Sequence, residues 1–86
     1  MKCQVYPFKH QGQTCVMFPT TTKFDFLPKS VRHEVDTGSP WPVLDLRPGE
    51  HLGSMDEDLA LRDIRSEGYH IQHLNPGDEM ILRKAG

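Results

Sequence analysis

The stretch RPGEHLGSMDEDLALRDIRSEGYHIQ, from Arg47 to Gln72, decides the fold of this chain. It reads as a turn, a helix and a strand in succession. Arg47-Pro48-Gly49-Glu50 closes a preceding strand, because proline presets φ and glycine accepts a left-handed backbone. Ser54 followed by Glu57 fits a capping box, in which each side chain satisfies a backbone N–H of the other residue. The pattern therefore predicts a helix over about Met55 to Glu67. Gly68 stands where that helix needs a C′ residue with positive φ. Tyr69 to Leu74 then reads as a strand, and Asn75-Pro76-Gly77-Asp78 as a turn.

Outward from this stretch, Lys2 to Phe8 and Gln13 to Phe18 are rich in β-branched and aromatic residues and flank the polar Lys9-His10-Gln11-Gly12. That arrangement predicts a β-hairpin. Its register places Cys15 opposite a residue near Phe8 and carries the partner of Cys3 to the far end of the second strand. The two thiols are thereby kept apart. Asp25 is the expected cap of a short helix over about Leu27 to Val35, with Pro28 tolerated in its first turn. Leu27, Val31 and Val35 recur every four residues and define one apolar stripe. Trp41 to Leu46 is a strand candidate that Pro40 and Pro42 either confine to a sheet edge or start outside the ladder. Glu79 to Lys84 reads equally as a closing strand or a terminal helical turn. The order β-β-α-β-α-β places the chain in the α+β class, with an antiparallel sheet of about four strands packed against two or three helices.

The chain has 86 residues, enough for one domain with a single small core. Its net charge of −2 gives no broad cationic surface, and its ten Lys and Arg are scattered. Charge-driven nucleic-acid binding needs clustered cations, so DNA is not an expected partner. No apolar run approaches the roughly 20 residues that span a bilayer, and the first residues lack the apolar core of a secretion signal. A cytoplasmic location is expected, with Cys3 and Cys15 as free thiols.

Several short segments resemble the YcgL family of small proteobacterial proteins. Cys3 to Tyr6 resembles the opening strand of that family. Phe26-Leu27-Pro28 resembles the entry to its short helix, and Pro48-Gly49-Glu50-His51-Leu52 with Asp56 its turn into the long helix. Glu67-Gly68-Tyr69-His70-Ile71-Gln72 is similar to its helix stop and following strand. The resemblance runs from Cys3 to about Ile81 and implies an α/β sandwich in which an antiparallel sheet carries helices. It implies no reaction. In some members the gene lies beside that for ribonuclease D, which implies a link to RNA metabolism. The first hairpin departs from the pattern at Lys9-His10-Gln11-Gly12 and Cys15-Val16-Met17-Phe18, and Glu57 replaces a usually apolar residue.

No chemical motif stands out. His70 and His73 lie three apart in a strand and so point to opposite faces. Cys3 and Cys15 form no Cys-x-x-Cys pair, and no metal or other cofactor is expected. A thiolate nucleophile needs a neighbouring base or a helix N-terminus, and none can be nominated beside either cysteine. Asp56, Glu57 and Asp58 read as favourable charge at a helix N-terminus, and Asp58 with Arg62 as an i, i+4 pair.

The expected function is a non-enzymatic protein-interaction or regulatory module, acting as a monomer or weak dimer on a protein partner. Trp41 is the one large amphipathic anchor, weighed between burial at the sheet edge and an exposed hot spot. Ala60, Leu61 and Ile64 form the core face of the long helix, while Met55 and Leu59 fall to another side and extend its apolar arc. Trp41, Met55 and Leu59 are therefore the protein-interaction candidates. The alternative is a weak RNA-binding accessory using Tyr6, Lys9, His10 and Arg32, in which strand aromatics stack bases.

Overall fold

The computed structural model describes residues 1–84. Its centre is a fully antiparallel four-stranded sheet of order β3-β1-β2-β6, with β1 at Lys2–Pro7, β2 at Thr14–Pro19, β3 at Trp41–Asp45 and β6 at His70–His73. The predicted hairpin is present, and its register pairs Cys15 with Pro7 and Cys3 with Pro19. Both thiols are free and buried. Thr14 through Phe18 of β2 are all buried, because helices cover both sides of this inner strand.

Alternation along β1 and β2 sorts the core into two layers. Cys3, Val5, Cys15 and Met17 face one way and meet Ala60, Leu61, Ile64 and Leu82. Phe8, Val16 and Phe18 face the other and meet Leu27, Val31 and Val35, the stripe expected of the short helix. β3 is an edge strand, as its prolines require. Between Cys3–Leu44 and Val5–Trp41 the pairing slips, with two steps on β1 set against three on β3. This bulge turns Trp41 and Leu44, three apart in sequence, toward the same layer.

The short helix is shorter than expected. α1 spans Lys29–Glu34, and Asp25 lies within a separate 3-10 turn at Phe24–Phe26 rather than capping it. The reason is Pro28, which drives the residue before it into extended geometry: Leu27 takes φ −69° and ψ 147°. The carbonyl of Pro28 then accepts from both Val31 and Arg32, starting the helix without a side-chain cap.

The long helix, α2, spans Glu57–Glu67 and starts two residues later than predicted. Met55–Asp56 forms a strand, β5, paired with β4 at His51–Leu52 across a two-residue Gly53-Ser54 turn. Gly53 takes φ +63°, the glycine-first pattern of a tight hairpin. Consequently the expected capping box does not form. Asp56 is the cap and accepts from the Asp58 and Leu59 N–H groups. Ser54 Oγ donates instead to Asp78. The buried Glu57 accepts from the Arg47 N–H at 3.0 Å. Asp58 accepts from the Gly49 N–H, while Arg62 reaches Asp63 at 3.6 Å, so the Asp58–Arg62 pair is replaced by two other contacts. Gly68 ends the helix at φ 90°, as its place in the sequence predicts. The tail is helical: α3 spans Asp78–Lys84.

Candidate functional site

An open concavity lies at the end of the sheet where β1 runs out. Backbone bonds from Asp36 N–H to the Pro7 carbonyl (2.8 Å) and from Lys9 N–H to the Glu34 carbonyl (2.7 Å) fasten the end of α1 beside the end of β1. The chain then crosses through Gly38-Ser39-Pro40 to Trp41, which pairs with Val5 and starts β3. The crossing leaves an open cleft of about 400 Å³, walled by Pro7, Phe8, Pro40 and Trp41 and edged by Asp36, Ser39 and Glu79. Asp36 Oδ1 accepts from the Gly38 N–H at 3.0 Å, an Asx turn that orients its carboxylate. No lysine or arginine is among the described residues that line the cleft.

A second, smaller concavity of about 230 Å³ lies between Leu44, Arg47, His51 and Glu57. Its buried Glu57 carboxylate is engaged with the Arg47 backbone and ties the turn before β4 to the start of α2. This is a structural latch.

The three protein-interaction candidates do not form one surface. Met55 is 1% exposed and belongs to the core, because it sits on β5 and not on the helix. Trp41 is 8% exposed, packed into the same core layer, with its edge on the cleft wall. Leu59 alone is well exposed, at 41%. Of the RNA-contact candidates, Tyr6 is half-buried and stacked on Phe18 with ring centroids 5.9 Å apart. Phe24 meets the Tyr6 ring edge-on and the Tyr6 hydroxyl donates to Gln4 Oε1, so the ring is spent within the fold. Lys9 and His10 are exposed at the end of β1, and Arg32 lies half-buried on α1 with its Nε buried and unpartnered.

Neither thiol is placed for nucleophilic chemistry. Burial pushes Cys3 up to about 11 and Cys15 up to about 12, with the N-terminal ammonium pulling Cys3 down and the Glu79 charge adding to the rise at Cys15. His70 is buried with both ring nitrogens engaged, by Asp63 and Gln72. Among the described residues no three His, Cys, Asp or Glu side chains converge as metal ligands. No helix among them is long and apolar enough to cross a membrane.

The sequence reading did not single out Asp36 or Glu79. The signal for Asp36 was local, an Asp two residues before a glycine at a helix end. Glu79 had none, because only the fold brings the first turn of α3 to the end of β1. Set against known protein families, curated proteins and solved structures, the chain matches none.

Proposed function

We propose that the protein is a small cytoplasmic domain of YcgL-like kind that works as a non-enzymatic protein-interaction or regulatory module, docking its partner in the cleft beside Trp41. The supporting observation is the cleft itself: a preformed, open concavity with an aromatic and proline wall and a polar rim. Tryptophan at the edge of a packed pocket is the residue type that most often anchors an interface. Both thiols are buried with raised pKa values, and both ring nitrogens of His70 are engaged, by Asp63 and Gln72.

The test is a pull-down from native lysate with the tagged protein, with and without nuclease, repeated with Ser39→Trp to fill the cleft. Ser39 is exposed, so the larger side chain leaves the core untouched. The expected result is a specific protein that survives nuclease and is lost with the variant. Loss of every partner on nuclease treatment would overturn this reading in favour of RNA, with Lys9, His10 and Arg32 as the next residues to change.

A further inference from the structure

We infer that His70 is an acid–base switch: carrying two ring protons it locks Gln72 over the free edge of the sheet, and on losing one it releases that edge. Nδ1 of the buried ring lies 2.7 Å from Asp63 Oδ2 and Nε2 lies 2.8 Å from Gln72 Oε1, so both nitrogens face oxygens. The Gln72 amide is held in this sense because its Nε2 donates to the His73 carbonyl at 3.0 Å, and a turned amide would set oxygen against oxygen there. Two acceptors are satisfied together only by an imidazolium, which donates from both nitrogens. The charge facing the ring comes from α2, where Asp63 also meets Arg62 through its other oxygen at 3.6 Å. From β2, Met17 stands opposite His70 and Cys15 opposite Gln72. Burial pushes that thiol up to about 12, so it stays neutral. On β6 itself, His73 points to the other face, with Nδ1 3.2 Å from the Thr14 hydroxyl.

The proton count of His70 reaches the sheet edge through Gln72. β6 pairs only with β2, and His73 stands opposite Thr14 while the Leu74 N–H donates to the Gln13 carbonyl. In an antiparallel ladder this turns the His73 N–H and carbonyl away from β2. The Gln72 amide therefore caps a backbone acceptor on the open edge, where a bare carbonyl would accept from another strand. As pH rises and one ring proton leaves, Asp63 keeps the other on Nδ1, because a carboxylate is the stronger acceptor. Bare Nε2 then faces the Gln72 oxygen with no hydrogen between them. Gln72 relieves this by turning its amide, which breaks its bond to His73. The edge is closed in acid and open above the transition.

The experiment is an NMR titration of the whole isotope-labelled chain over about pH 5–9, the range in which imidazoles change charge. It follows the ring nitrogens of His70, the side-chain amide of Gln72 and the carbonyl carbon of His73. The expected result is two protonated ring nitrogens on His70 at the acid end and one midpoint shared by all three signals. In Gln72→Leu, His70 should still titrate while the His73 carbonyl no longer follows it. Asp63→Asn keeps an oxygen toward Nδ1 without the charge and should move the shared midpoint down by about one pH unit or more. His73→Gln removes the neighbouring imidazole and should leave the coupling intact. A His70 proton count that stays constant across the range, or a His73 carbonyl that responds to its own ring instead of to His70, would overturn the switch. The parent titration and Gln72→Leu, at a half-buried edge residue, decide the question even where Asp63→Asn fails to fold.

Discussion

Asp63 Oδ2 lies 2.7 Å from His70 Nδ1, joining the long helix to the last strand of the sheet through a buried imidazole. The other ring nitrogen is 2.8 Å from the Gln72 side-chain amide, so His70 is a clamp between α2 and β6. Removing the acceptor strands a buried polar group, which costs more than the bond itself contributes. Asp63→Ala is expected to lower stability by about 1–3 kcal/mol in urea unfolding. A change below the measurement error would show that solvent replaces the carboxylate.

Gly53 and Gly77 both hold positive φ, at +63° and +95°, yet they differ in surroundings. A Cβ on Gly53 would stand 2.5 Å from Asp78 Oδ1, whereas one on Gly77 would meet nothing within 4 Å. Gly77→Ala is expected to cost about 1–2 kcal/mol from backbone strain alone. Gly53→Ala must add displacement of Asp78, so its loss of stability should be clearly the larger of the two. Equal thermal shifts for the two variants would refute this ordering.

Asp78 carries a lowered pKa because Ser54 donates to it, reinforced by the Asn75 N–H against the opposing effect of burial. A carboxylate depressed on folding contributes stability above its ordinary value near 3.8, and that contribution disappears as pH falls through the lower folded value. Unfolding followed from neutral pH downward should therefore show an acid limb between the ordinary value near 3.8 and the lower folded value, and that limb should be shallower in Ser54→Ala. Superimposable limbs would remove Ser54 as the cause.

The two thiols predict the opposite limb. Raised from 9.0 to about 11 and about 12, they ionise more readily in the unfolded chain than in the folded one. Stability is thus whole below pH 9 and declines above it, by up to about 1.4 kcal/mol per pH unit for each thiol until its folded value is reached. In the native protein at neutral pH, both cysteines should react with a thiol reagent only as fast as the chain opens, and at once in denaturant. Rapid native labelling of either would contradict its burial.

Trp41 and Leu59 separate stability from surface. Trp41→Ala empties a core position and is expected to cost about 3–5 kcal/mol. Leu59→Ser should fall within about 0.5 kcal/mol of the parent. Trp41→Phe, which retains an aromatic wall, is the variant to use where the cleft is tested with the fold intact.

Local stereochemistry made the four-stranded antiparallel α+β architecture legible. The hairpin, the edge character of β3, the helix stop at Gly68 and the apolar stripe of Leu27, Val31 and Val35 each follow from signals within a few residues. The errors fell where two local rules competed. Ser54-x-x-Glu57 satisfied a capping box, but Gly53 could also turn a hairpin, and the hairpin won because it buries Met55 and gives Ser54 a partner in Asp78. Periodicity on a helical wheel then misassigned Met55, which lies on a strand.

By itself, the sequence determined the four strands of the main sheet and the two helices between them, the pairing of the first two strands and the separation of the two cysteines, because these depend on backbone preference and alternation over short distances. Only the tertiary structure decided the helical tail, the fate of Trp41 and Met55, and the cleft. Asp36 and Glu79 stand 43 positions apart and on different elements. Which residues meet across such a separation is set by how helices pack on the sheet, through contacts that leave no pattern along the chain.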